Sequence, residues 1–305
     1  MKHSLFDLHC DTAYKMLTER QSLTQNKLAV SLKNAKKFDR YVQVMALWTD
    51  DSLDDEQGWQ QMLAMHKNLL SDPAVQNKKV MISSTLIDTT SPLLLLSIED
   101  LRILAGRLER VDELFRLGIR IITPLWRGDT CIGGSHDTTN GLTEFGSRAL
   151  HRAISLGMVA DISHASIRAA DEILSLGKAL NRPVIASHSN AYEICPVSRN
   201  LIRRQAVEII DMGGLIGLNL HAPFLKHESN AVVEDLFPHI DYFLELGASA
   251  TLCLGCDLDG CQPPTDSFTV ASLIDLAEMM LKHNYSESLI QRIFYENAAH
   301  FASAL

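Results

Sequence analysis

The sequence predicts an α/β fold, a closed (β/α)8 TIM barrel formed by residues 1–305 as a single domain. Three observations predict it. The chain has 305 residues, and such a barrel takes roughly 250 plus insertions. An apolar, strand-like run followed by an amphipathic, helix-like run recurs along the whole length. The helix-like runs mostly close on glycine, the residue suited to the left-handed position after a helix. Strand, helix and stop in alternation argue for a parallel sheet covered by helices.

The strand-like runs begin with SLFDLH (4–9), YVQVMALW (41–48), KVMISST (79–85) and LLLLSIE (93–99). IRIITPLW (119–126), MVADIS (158–163), PVIASH (183–188), GLIGLNL (214–220) and ATLCLGC (250–256) follow. Each has strand length and an apolar core. One run exceeds the eight that a barrel needs, so it is an extra hairpin strand or no strand at all. Between them, DDEQGWQQMLAMHKNLLSD and LRILAGRLERVDELFRLG space apolar residues as a helix does, the second stopping at Gly118. TEFGSRALHRAISLG, SIRAADEILSLG and RRQAVEIIDMGG repeat the plan, each closing on glycine. GGLIG at 213–217 precedes a strand rather than a helix, so it reads as a turn.

Composition narrows the function. Apolar residues make up 46% of the chain, enough for a large core, and the net charge is -9. A nucleic-acid surface needs a basic patch, and none is present. The N-terminus has no apolar signal core, and the longest apolar run, PLLLLSI, is too short to span a bilayer. A soluble, cytoplasmic protein without a membrane or nucleic-acid partner is expected. Cys10, Cys131, Cys195, Cys253, Cys256 and Cys261 form no regular framework. In CLGC the two thiols point to opposite faces of a strand, so buried thiols are expected rather than a cysteine zinc site.

The polar residues at the strand ends carry the chemistry. His9 and Asp11 end the first run, Glu99 ends the LLLLSIE run, His164 follows VADIS, His188 ends VIASH and Asp257 follows LCLGC. In a parallel barrel these ends open on one face, where active sites of the fold lie. Residues two apart on a strand share a side, so His9 and Asp11 form half of a metal site for zinc or another first-row ion. Asp7, on the same parity, is expected to support them from one step deeper. His66, His136, His151, His227, His239 and His283 fall in helix-like or loop-like segments and read as solvated surface. No GxGxxG after a strand, GxxxxGK[ST] or GxSxG motif offers a rival chemistry.

These residues have a familiar arrangement. The motifs DLHCDT, SIED, GLTEFGSRALHRAISLGMVADISHAS, PVIASHSNAYEICPVSRNL, GGLIGLNL and LGCDLDG resemble the membrane (renal) dipeptidase family, zinc peptidases of the amidohydrolase-like, metal-dependent hydrolase barrels, from Asp7 to about Phe301. The resemblance implies two Zn2+ per chain, other first-row divalent ions remaining open. His9 and Asp11 would hold one, His164 and His188 the other, with Glu99 bridging them. It also implies a hydroxide between the metals that attacks the peptide carbon, with Asp257 handling the proton. Arg199, in SRN, would grip the terminal carboxylate of a dipeptide through its fork of donors. The family's frequent dimers leave a homodimer open.

The departures lie on the substrate side. Trp126 stands where better-known members have a histidine, His221 where a tyrosine is usual, and Asp129 where an asparagine is, adding negative charge beside the pocket. Asp100 and Leu101 replace glycines, and His300 replaces an arginine. Two other functions compete with a dipeptidase: an amidohydrolase acting on another small amide or an N-acyl amino acid, and an inactive barrel that binds small peptides.

Overall fold

The computed structural model describes residues 3–303 apart from 25, 88, 90, 228, 229 and 266. All nine strand-like runs contain strand: β1 (Leu5–Cys10), β2 (Tyr41–Trp48), β3 (Met81–Ile82), β4 (Leu93–Glu99), β5 (Ile119–Thr123), β6 (Val159–Asp161), β7 (Val184–Ile185), β8 (Ile216–Leu218) and β9 (Leu252–Leu254). Eight run in the order β7-β6-β5-β4-β2-β1-β9-β8. Every neighbouring pair along that path is parallel. A parallel bridge from Ala186 to Ile216 joins the two ends. Ala186 N–H donates to Leu215 O and Gly217 N–H to Ala186 O, each at 2.8 Å, which closes the barrel.

The surplus strand is β3, and it is not part of a hairpin. It pairs in parallel with only the first two residues of β4, and β5 takes over that edge from Leu96 onward. Strand IRIITPLW stops at Thr123 because Pro124 has no N–H to continue the ladder.

The helices largely follow their sequence signals. Asp54 and Gln57 form a reciprocal capping box at the start of Asp55–Ser71. Gly118, Gly157 and Gly213 adopt left-handed φ of 89°, 92° and 68° where helices end. Two expectations fail. LRILAGRLERVDELFRLG is a 3-10 turn (Leu101–Leu104) and a separate helix (Glu109–Arg116), because Ala105 and Gly106 turn left-handed between them. Gly177 does not stop its helix, which runs Ile167–Ala179; a Cβ there would lie 2.4 Å from a Val184 methyl, so the glycine serves packing.

Two apolar layers result. Phe6, Leu8, Val42, Val44, Leu93, Leu95, Ile121, Val159, Ile185, Leu215 and Cys253 fill the barrel, closed below by Ala298 and Ala302 of the last helix (Asn297–Ser303). Asn297 Nδ2 pins that helix to the barrel through Leu252 O at 2.7 Å. The larger layer lies between strands and helices and takes Cys256, so the CLGC thiols do face opposite ways.

β1 breaks the strict alternation. Its pairing with β2 slips between Asp7 and Cys10, the mark of a β-bulge. Phe6 and Leu8 face the barrel interior. Without the bulge His9 would point outward; with it, His9 follows Leu8 inward and Cys10 packs in the outer layer. Asp7 is therefore not beneath the site, as parity suggested. It faces outward, buried, accepting Gln43 Nε2 at 3.0 Å and Cys256 N–H at 2.8 Å, and so clamps β1 to β2 and β9.

Candidate metal centre and cavity

The strand ends deliver the expected side chains to one place. His9 Nε2 lies 3.4 Å from Asp11 Oδ2, 3.6 Å from Glu99 Oε2 and 3.9 Å from Asp257 Oδ1. On the other side of the same carboxylate, Glu99 Oε1 lies 3.0 Å from His164 Nε2 and 3.5 Å from His188 Nε2. Glu99 thus faces one set of donors with each oxygen. His9, Glu99 and His188 form one group of converging donor atoms, and His9, Asp11 and Asp257 another.

Hydrogen bonds behind the two imidazoles fix which atoms face inward. His164 Nδ1 sits 3.1 Å from Trp126 O. A carbonyl only accepts, so Nδ1 carries the proton and Nε2 presents a bare lone pair. Ser187 Oγ donates to Asp161 Oδ2 at 2.5 Å and accepts from His188 Nδ1 at 2.7 Å, which sets the same tautomer on His188. The two Nε2 atoms then face each other at 3.0 Å. Two lone pairs and a carboxylate oxygen meet there with no donor among them. His9 Nε2, Asp11 Oδ1 and Glu99 Oε1 are all buried without a hydrogen-bond partner among the described residues. Buried polar atoms without partners are costly. The spacing fits cations bound at roughly 2.0–2.2 Å by imidazole and carboxylate.

Electrostatics match. Burial alone would lower the pKa of His9, but Glu99 and Asp11 outweigh it and raise it well above the usual imidazole value. Burial works to raise Glu99, yet His9 and His164 hold it well below the carboxylate range. Burial lowers His164 to about 3, helped by Arg199, and lowers His188 as well, helped by His9. Asp257 is pushed up to about 8, by burial first, against the pull of His9 and with the push of Asp11. His164 and Asp257 hold left-handed backbone, φ 68° and 60°, as do Asp100 (75°) and Asp259 (68°). Such strain in non-glycine residues gathers at functional sites.

A cavity of about 290 Å³ opens above this cluster. Trp126 and His221 line it, as does an aromatic wall in which Trp48 packs 5.0 Å from Trp126 and edge-on to Tyr14 at 4.8 Å. Gln262 N–H donates to His221 Nδ1 at 3.0 Å, so Nε2 carries the proton and is free to donate. Arg199 is buried, its guanidinium carbon 5.3 Å from the Phe224 ring. Its Nε has no partner, and burial lowers its pKa to about 10, still charged at neutral pH.

Four expectations about polar residues need correction, the first being His66, which is half-buried with Nε2 3.0 Å from Leu117 O. Asp129 is exposed, bonds Asn140 Nδ2 at 2.8 Å and does not line the cavity. His239 is not on the surface: it is fully buried, accepting Ala191 N–H at 3.1 Å and reaching Leu225 O at 3.0 Å. His136 is half-buried, its ring 5.8 Å from that of His164. Sequence reasoning also missed Asp161, Ser187 and Asn219, whose Nδ2 lies 3.2 Å from Asp257 Oδ2. Asp161 carried a signal, a carboxylate inside an apolar strand run, which must be paired once buried. Thr123 Oγ1 and the N–H groups of Ser163 and Ser187 complete its shell.

A parallel barrel with converging imidazoles and carboxylates at its mouth defines a metal-dependent hydrolase. The model of the membrane dipeptidase family (peptidase family M19) matches residues 1–303, and the chain belongs to that family. A protein from the pqqA 5' region of Klebsiella pneumoniae is 29% identical over 199 residues, 61% of this chain and 72% of that one. Among solved structures, the metallopeptidase dipeptidase AC superposes with a TM-score of 0.90 at 24% identity, covering 99% of this chain and 98% of that one. A Rhodobacter sphaeroides metallopeptidase, solved with a phosphinate mimic of L-Ala-D-Ala, gives 0.90 at 23% identity over 99% of each chain.

Proposed function

We propose that the protein is a dinuclear zinc dipeptidase. The observation that carries this reading is the pair of bare Nε2 lone pairs of His164 and His188, 3.0 Å apart and facing Glu99 Oε1. His9 and Asp11 stand at the other oxygen of the same carboxylate. In this reading His9 and Asp11 hold one ion, His164 and His188 the other, and Glu99 both. Ions held there would supply Lewis acidity, making a water acidic near neutral pH and polarising the scissile carbonyl.

The remaining roles fall to the chain itself. Asp257 takes the proton of the attacking water and returns it to the leaving amine. Its position beside both His9 and Asn219 supports this role. Arg199 lies against Phe224 of the cavity wall, with Nη2 on His188 O at 3.4 Å and Nε unpartnered, and binds the substrate's terminal carboxylate. His221 offers Nε2–H to the substrate, and Trp126 shields the reacting centre from bulk water while its carbonyl orients His164. The phosphinate dipeptide mimic bound by the Rhodobacter relative supports a dipeptide as substrate. Six free thiols support the reducing cytoplasm as compartment. No helix among the described residues is long and apolar enough to cross a membrane.

The test is turnover of the zinc-reconstituted protein on dipeptides and on N-acyl amino acids. Dipeptide cleavage with little or no N-acyl hydrolysis is expected. Hydrolysis of N-acyl amino acids alone would replace this reading with an aminoacylase-type amidohydrolase.

A further inference from the structure

We propose that Lys15 selects dipeptides whose amino-terminal residue carries a carboxylate side chain. This rests on the dipeptidase reading above and adds the substrate class. Lys15 is the only lysine or arginine that lines the cavity among the described residues. Among the described residues it forms no ion pair, although Asp11, Glu99, Asp257 and Asp259 line the same cavity. Asp11 is engaged with His9. Asp259 is saturated by Thr12 Oγ1 at 2.5 Å, Ala29 N–H at 2.8 Å and Val30 N–H at 3.4 Å. An ammonium at a cavity wall that no acid pairs with is available for an incoming anion.

Its place in the barrel says which part of a dipeptide it meets. Lys15 lies on the helix Thr12–Thr18 directly after β1, held by buried Ala13 and Met16. Tyr14 beside it is tied to Asp50 Oδ2 at 3.1 Å and packs on Trp48 at the end of β2. Arg199 follows β7, three strands away round the closed ring from β1 and four from β2. A dipeptide spans at most roughly 7 Å. With its terminal carboxylate on Arg199 and its peptide bond over Glu99, the amino-terminal side chain projects onto the Tyr14–Trp48 wall, under Lys15. A Glu or Asp side chain there lays its methylenes on the aromatic rings and its carboxylate on the ammonium, a charge-assisted contact.

The experiment measures kcat/KM of the metal-loaded enzyme on Glu-Ala, Gln-Ala and Lys-Ala, each with L- and D-alanine, together with the metal content of every variant. The wild type is expected to prefer Glu-Ala over Gln-Ala by about tenfold, mainly through KM, and to disfavour Lys-Ala. In Lys15→Met the Glu/Gln ratio is expected to fall to about one, and in Lys15→Glu the order is expected to invert towards Lys-Ala, with metal content unchanged. A Glu/Gln ratio that is the same in all three proteins overturns the assignment and makes Lys15 a general counter-charge for the acidic mouth. Absence of turnover on every dipeptide by the wild type overturns the dipeptidase reading itself.

Discussion

His164 and His188 each commit Nδ1 to an acceptor, Trp126 O and Ser187 Oγ, and so turn a bare nitrogen towards Glu99. That makes the residues behind the ligands testable. Ser187→Ala removes the acceptor that fixes His188, and Asp161→Asn upsets the network holding Ser187. Each is expected to weaken metal binding by about 10- to 100-fold, measured by chelator competition. Wild-type affinity in both would show that the tautomers are set by other contacts. Gly260 acts from the opposite side: a Cβ there would stand 1.9 Å from Asp11 Oδ2, so Gly260→Ala is expected to displace Asp11 and strip metal from the His9 side. Asp257→Asn preserves size while removing the carboxylate proposed to accept the proton. Turnover should fall by on the order of 10²–10⁴ with metal content retained, and an active variant would remove Asp257 from proton transfer.

The strands explain what was legible in the sequence and what was not. His9, Glu99, His164, His188 and Asp257 could be read as convergent because each follows an apolar run, and in a parallel barrel such ends share a mouth. Alternation misplaces Asp7 because it cannot reveal a bulge, and one extra residue reverses every parity beyond it. Which of the nine runs stands outside the ring is not legible, because an apolar run shows strand propensity but not which edge is free to pair. The glycines of β8 and the β9 end hold a further consequence. A Cβ on Gly217 or Gly255 would meet Ser187 O at 1.8 or 1.7 Å, where the barrel closes next to His188. Backbone cannot yield there as a side-chain tip could. Gly217→Ala or Gly255→Ala is expected to destabilise the fold by more than about 3 kcal/mol, read by denaturant unfolding. Wild-type stability in either would contradict the close approach of β7, β8 and β9.

At the scale of the whole molecule, the barrel is stabilised differently at its two ends. The lower end is a plug of apolar side chains closed by Ala298 and Ala302. The upper end gathers imidazoles and carboxylates from β1, β4, β6, β7 and β9, several of them buried without partners. Ions bound there would tie loops from across the ring together and favour the native state by mass action. Chelation is therefore expected to lower the melting temperature, and restored zinc to raise it in a concentration-dependent way. The central claim is that Glu99 serves two ions at once, and elemental analysis of the zinc-reconstituted protein against chain concentration tests it most directly. About two zinc ions per chain in the wild type, falling in Glu99→Gln, is the result this account predicts; one or none in the wild type would contradict it.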